Sequence, residues 1–218
     1  MSTPQTIDAV LFDFGGVITT SPFEAFNRYE AELGIPLDTI RTINATNPDD
    51  NAWARMERNE VTVEEFSRLF EDEASAVGHQ LSGTAVLGCL SGDVRPQMVR
   101  ALDILAARVR IGCITNNMRQ GHGAGMARTP EQADRVADAM SRFEVVIESS
   151  KVGLRKPDPR IYELACRDMG IHASRTAYLD DLGVNCKPAR ALGMATIKVG
   201  DPDVALDELE QIVGFALR

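Results

Sequence analysis

Residues 10–20 read VLFDFGGVITT: an apolar run ends in a single carboxylate, Asp13, and Gly15 and Gly16 follow almost at once. Together with Ile7, Asp8 and Ala9 the run makes a short strand candidate over 7–13. A charge at the tip of a buried strand is costly unless something there uses it. The glycines leave room for a ligand to approach the backbone closely. Further apolar runs closed by polar residues or glycine stand at 110–115 (RIGCIT), 144–147 (EVVI), 176–180 (TAYLD) and 195–199 (ATIKV).

From residue 94 onward these runs alternate with helical patterns, in VRPQMVRALDILAAR, PDPRIYELACRDMG, NCKPARALG and DVALDELEQIVGFALR. Alternating strands and helices predict βαβ units and a parallel sheet covered on both faces. Between the first strand and residue 93 only helical signals occur. SPFEAFNRYEAELG has Ser21 as N-cap, Pro22 at the first helical position, Glu24 three residues after the cap and Gly34 as the stop. VTVEEFSRLFEDEASAVG spaces Val63, Phe66, Leu69 and Phe70 on one helical face. The fold expected is therefore α/β, a Rossmann-like parallel sheet over residues 1–18 and 93–218, with an α-helical cap inserted at 19–92. The glycine-rich stretch 118–129 reads as a mobile loop before a short helix, 130–142, capped by Thr129.

Composition narrows the function. An apolar share of 44% and a charged share of 25% are those of an ordinary globular chain. With 23 basic against 32 acidic residues the net charge is −9, which disfavours nucleic acid and anionic membranes as partners. An anionic small substrate remains compatible, since a few cations dominate one pocket. Cys89, Cys113, Cys166 and Cys186 are scattered, with no CxxC pair, and read as reduced thiols. The N-terminus lacks a signal-peptide pattern and no apolar run approaches the ~20 residues of a membrane span. A soluble, cytoplasmic protein is expected.

Ligands of a parallel α/β sheet bind at the carboxyl ends of its strands. Strand one ends at Asp13, the 110–115 strand at Thr115 followed by Asn116 and Asn117, and the 176–180 strand at Asp180 and Asp181; Lys156 stands in GLRKPDP before the next helix. A carboxylate, a hydroxyl with neighbouring amides, a cation and two further carboxylates on one edge suit phosphoryl transfer. A carboxylate can attack phosphorus and split one hard step into two. Its charge opposes attack on a dianion, so a cation belongs between them. Mg²⁺ prefers oxygen ligands and is held by one or two carboxylates with the substrate phosphate.

These residues resemble the haloacid dehalogenase-like (HAD) hydrolases, in the subgroup with a helical cap after the first strand, and the resemblance covers essentially the whole chain. FDFGGV, ITNN, GLRKPDPRIY and YLDDLGVNCKPARALGMATI look like that family's four motifs. They are similar to those of phosphatase-type domains such as the N-terminal domain of soluble epoxide hydrolase and its bacterial relatives. The resemblance implies Asp13 as nucleophile and metal ligand, the Gly15 carbonyl as a backbone ligand to Mg²⁺, and Thr115 and Asn116 as phosphoryl-binding groups. It also implies Lys156 as the bridge between nucleophile and phosphate, Asp181 as a direct metal ligand, Asp180 acting through water or orienting its neighbours, and Asn185 as support for the acidic pair.

One position departs from the family pattern. Where the first motif usually carries a second Asp, the acid for the leaving group, this chain has Gly15. General acid–base help is worth about 10²–10⁴-fold. The reading is a Mg²⁺-dependent phosphatase for a small phosphorylated metabolite with a good leaving group, or one whose proton comes from His122 or Glu24. The alternatives are a phospho-ligand-binding pseudoenzyme and a metal-free 2-haloacid dehalogenase. Trp53, Phe66 and Phe70 read as the core of the helical block, Arg55 and Arg58 as solvated surface; His79 and His172 have no assigned role.

Overall fold

The computed structural model describes residues 6–117, 127 and 129–218. Its elements run in the order β1 (Ala9–Phe12), α1 (Pro22–Leu33), α2 (Thr39–Ala45), α3 (Ala52–Glu57), α4 (Val63–Ala76), α5 (Gly83–Gly88), α6 (Pro96–Ala106) and β2 (Arg110–Thr115). After these come α7 (Pro130–Met140), β3 (Val145–Glu148), α8 (Ser149–Val152), α9 (Pro159–Met169), β4 (Thr176–Asp180), α10 (Gly183–Ala191), β5 (Ala195–Lys198) and α11 (Pro202–Val213).

The five strands form one parallel sheet in the order β3-β2-β1-β4-β5. Burial on both faces explains why the strands read as unbroken apolar runs rather than as alternating ones. Val10, Phe12, Ile111, Cys113, Ala177 and Leu179 face one side, where they pack with Met98, Leu102, Val136 and Leu206 of α6, α7 and α11. Leu11, Ile114 and Tyr178 face the other, against Ile161, Tyr162 and Ala189 of α9 and α10. Each fully buried large side chain contributes roughly 1.5–3 kcal/mol. β1 lies at the centre of the sheet, so the residue after its last one is flanked by strand ends on both sides.

The helical block between β1 and α6 has its own apolar cluster, built on Phe26, Ile40, Met56, Phe66 and Phe70, with Trp53 packed against it. Trp53 meets Phe26 and Phe66 edge-on, with ring centroids 6.0 and 5.7 Å away. Thr62 and Glu65 form the reciprocal cap of α4. The chain leaves the sheet and returns to it at one place: Thr19 and Val94 form an antiparallel bridge, and Arg95 donates from Nε to the Thr19 carbonyl at 3.0 Å.

Helices α2, α3 and α5 had no individual signal in the sequence. They are six or seven residues long, too short to show a clear 3.6-residue period. α2 starts from Asp38, whose backbone is left-handed (φ 65°). Its first N–H groups are satisfied from outside by fully buried Glu30, whose carboxylate accepts from Asp38 N and Ile40 N, both at 2.7 Å. An anion at a helix N-terminus needs no separate counter-cation. Glu30→Ala strands both donors and is expected to lower unfolding stability by about 2–4 kcal/mol, with Glu30→Gln losing less. Urea denaturation of the two variants measures this.

Candidate active site

Asp13 follows the last residue of β1 and its N–H donates to the Leu179 carbonyl of β4 at 2.8 Å, so sheet pairing sets where its side chain starts. Oδ1 of Asp13 accepts from the next backbone N–H, Phe14, at 2.6 Å. The same oxygen lies 2.7 Å from Nζ of Lys156. Nζ also donates to Oδ2 of Asp180 at 2.8 Å. Lys156 is 1% exposed and Asp180 fully buried, so the ammonium is a buried bridge between two strand ends.

Asp180 is held by more than the lysine. Asn185 Nδ2 donates to its two oxygens at 3.0 and 3.1 Å, Leu182 N donates to Oδ1 at 2.8 Å, and the Tyr178 hydroxyl donates to Oδ2. Asp181 accepts from Ser21 Oγ at 3.3 Å. Asp13, Asp180 and Asp181 each bring an oxygen within 4.8 Å of the others, a set of three carboxylates that suits a hard, oxygen-seeking cation.

The electrostatics match this crowding. Burial, tempered by Lys156 and reinforced by Asp180 and Asp181, pushes the Asp13 carboxyl well above the usual carboxylate range. Burial and then the Asp180 charge push Asp181 up to about 6. Burial works against the Lys156 ammonium, yet Asp13 and Asp180 together outweigh it and hold it above the usual lysine value. Among the described residues three carboxylates face one ammonium, a balance that favours added positive charge.

Thr115 closes β2, the strand paired with β1, and is buried. Asn116 faces the other way. Its Oδ1 accepts from Lys156 N at 2.8 Å, and its Nδ2 donates to the Lys156 carbonyl at 3.1 Å and to Glu57 Oε2 at 3.2 Å. The Asn116 side chain thus clamps the backbone that carries Lys156. Asn117 is a loop anchor: Nδ2 donates to Glu148 at 2.6 Å and Oδ1 accepts from Ser150 Oγ at 2.9 Å.

Three side chains here were missed or half-read in the sequence. Ser21 caps α1 as expected, but its hydroxyl also reaches Asp181. Tyr178 stands two residues before Asp180, and residues two apart on a strand share a face, so that spacing held a readable signal. Glu57, in contrast, comes from the helical block with no local pattern to single it out. Glu24 is exposed on α1. His122, with residues 118–126 and 128, lies outside the described residues.

Residues 7–193 match the model of the haloacid dehalogenase-like hydrolases. The chain belongs to this family. Relatives of the chain include acyl-CoA dehydrogenase family member 10 of Mus musculus, 34% identical over 96% of this chain, and bifunctional epoxide hydrolase 2 of Sus scrofa, 28% identical over 98%. The chain covers only 19% and 40% of those two proteins. The sesquiterpene phosphatase astK of Aspergillus oryzae is 24% identical, with 96% of this chain matching 98% of that one.

Among solved structures, a HAD enzyme of Bacteroides thetaiotaomicron in complex with magnesium and inorganic phosphate superposes with a TM-score of 0.57 at 20% identity, over 89% of this chain and 96% of that one. A dehalogenase with an intermediate complex reaches 0.66 at 14% identity, over 96% and 98%. Both show the HAD fold.

The two glycines of the first motif differ sharply in what surrounds them. Gly16 has φ +75° and a Cβ there would lie 2.2 Å from Asp181 Oδ2; around Gly15 a Cβ would meet nothing within 4 Å. Gly16→Ala combines a left-handed backbone penalty of about 1–2 kcal/mol with displacement of Asp181. Gly15→Ala is expected to leave the melting temperature unchanged or raise it, while Gly16→Ala lowers it by several degrees, as differential scanning calorimetry can establish.

Proposed function

We propose that this HAD hydrolase is a phosphatase acting on a small phosphorylated metabolite through an aspartyl-phosphate intermediate on Asp13, with Mg²⁺ as cofactor. The observation that carries the reading is the set of Asp13, Asp180 and Asp181 around a single buried ammonium. It accompanies family membership and relatives named as phosphatases. The donor set fits Mg²⁺: three carboxylate oxygens from this chain, with the Gly15 carbonyl beside them in the motif. When bound, that ion would supply the positive charge that lets a carboxylate approach a phosphate dianion.

The chain's own residues do the rest. Lys156 and the Phe14 N–H both engage Oδ1 of Asp13, which orients the carboxylate so that Oδ2 is the attacking oxygen. The Lys156 ammonium stays charged near neutral pH and would neutralise equatorial phosphoryl oxygens. Thr115 Oγ and the backbone N–H of Asn116 would hold the phosphoryl group, because the Asn116 side chain is engaged with Lys156. Asn185, Tyr178 and the Leu182 N–H keep Asp180 in place. The helical block acts as a cap over the strand ends and selects the substrate.

Gly15 offers no proton, so the leaving group must depart without one from that position. An acyl phosphate or a sugar 1-phosphate meets this demand; a plain alkyl phosphate does not. Among the described residues a metal-free dehalogenase would have no second cation to set against the three carboxylates, which disfavours that alternative. The pseudoenzyme alternative is decided by turnover.

The test is phosphate release from acetyl phosphate, a hexose 1-phosphate and an alkyl phosphate, with Mg²⁺ and with chelator. Release is expected from the first two with Mg²⁺ only, and none from Asp13→Asn. Release unaffected by that substitution, or halide release from a 2-haloacid in chelator, would overturn the reading.

The open space at Gly15 allows a sharper check. Gly15→Asp installs a carboxyl where nothing obstructs it and is expected to raise kcat/KM for the alkyl phosphate by about 10²-fold. The value for acetyl phosphate should change far less.

A further inference from the structure

Glu57 is the last residue of α3, in the helical block, yet it is buried against the sheet's functional edge. Its Oε2 accepts from Asn116 Nδ2 at 3.2 Å and from Arg155 Nε at 2.6 Å, and its Oε1 accepts from Trp53 Nε1 at 3.1 Å. Its backbone carbonyl accepts from Ser149 Oγ at 2.8 Å, and Ser149 Oγ in turn accepts from Asn117 N at 3.0 Å. The two residues after β2 are thus tied, one directly and one through a single hydroxyl, to one residue of the block. Arg155 reaches the block a second time, donating from Nη1 to the Pro48 carbonyl at 2.8 Å.

Two partners of Glu57, Asn116 and Arg155, adjoin Lys156. Arg155 precedes Lys156 in the chain, and Asn116 clamps both polar groups of the Lys156 backbone. A carboxylate that fixes the Asn116 amide and the Arg155 side chain therefore fixes the stem of the lysine whose Nζ bridges Asp13 and Asp180. The seam at this point is incompletely filled. A cavity of about 370 Å³ lies between Asp49 and Arg58 of the block and Leu154, Arg155, Pro157 and Arg160 of the core. The block is joined to the sheet covalently only through the paired segments at Thr19 and Val94. Seating of the block at its far side then depends on polar ties such as those of Glu57.

We propose that Glu57 is a positioning residue that makes the placement of Lys156 conditional on the seating of the helical block. This rests on the phosphatase reading for its effect on rate, though the placement itself does not. With the block seated, Asn116 is oriented by Glu57 and holds the Lys156 backbone. With the block displaced, Asn116 loses its carboxylate acceptor and Arg155 its anion, and the lysine loses its fixed stem. Misplacement of a reacting group by an ångström costs on the order of 10²-fold in rate.

The experiment follows Lys156 by two readouts in wild type, Glu57→Ala, Glu57→Asp and Glu57→Gln. One is acylation of Lys156 by an amine-reactive ester, quantified by peptide mass spectrometry well below the melting temperature. The other is kcat and KM for acetyl phosphate. Both Glu57→Ala and the shorter Glu57→Asp are expected to label about tenfold faster and to lose about 10–100-fold in kcat with KM changed less than about threefold. Glu57→Gln, whose amide oxygen still accepts from Asn116, should restore most of both.

Should Glu57→Ala fail to fold, Glu57→Asp carries the comparison. A Glu57 variant that melts earlier yet labels Lys156 as slowly as wild type overturns the proposal, and so does unchanged kcat in an active wild-type background. If wild type releases no phosphate, the phosphatase reading falls and labelling alone decides the proposal.

Discussion

One buried ammonium sets the terms for everything around it. Nζ of Lys156 sits 2.7 Å from Asp13 and 2.8 Å from Asp180 with almost no access to water. Burying an ion costs several kcal/mol, which only close partners and further hydrogen bonds can offset. The surroundings supply them in layers. Asp180 has Tyr178, Asn185 and Leu182 N; Asp13 has Phe14 N; the Lys156 backbone has Asn116. The strand order also serves this contact. With β1 at the centre and β4 directly beside it, Asp13 and Asp180 end adjacent strands, and one lysine can span them.

How far this was legible in the sequence depends on the range of each signal. The strands were readable because burial on both faces leaves continuous apolar runs, and the α1 cap because Ser21 and Pro22 act locally. Asp13, Thr115 and the Asp180–Asp181 pair stood out because each closes or follows such a run, and Lys156 because it stands in GLRKPDP at the entry to a helix. Their convergence in space follows from the parallel sheet. The resemblance named Asn116 as a phosphoryl-binding residue, but nothing in the sequence said that its side chain would turn toward a backbone 40 residues downstream. Glu57 was invisible for the same reason. Its partners Asn116 and Arg155 lie 59 and 98 positions away, and no periodicity encodes such pairs. Helices of six residues escaped because a single turn and a half has no period to detect.

The paired glycines show two separate constraints in consecutive positions. At Gly16 the backbone is left-handed and the Asp181 carboxylate occupies the space a side chain would need. At Gly15 neither restriction holds, so the missing carboxyl is not a consequence of crowding. Geometry explains one glycine and leaves the other free to carry a side chain.

The narrow neck at Thr19 and Val94 has a consequence for how the chain finds its fold. Val10 and Ile111 pair in the central sheet although roughly a hundred residues separate them, a contact that is slow to form because the intervening loop must first be closed. The helical block has its own apolar cluster and helices that satisfy most of their contacts locally. Once it condenses, its two ends meet at the neck, and β1 and β2 are then separated by little more than the turn after β1 and α6 instead of by the whole insertion. The insertion then shortens the search for the sheet rather than lengthening it, and the late step becomes the joining of β4 to the free edge of β1.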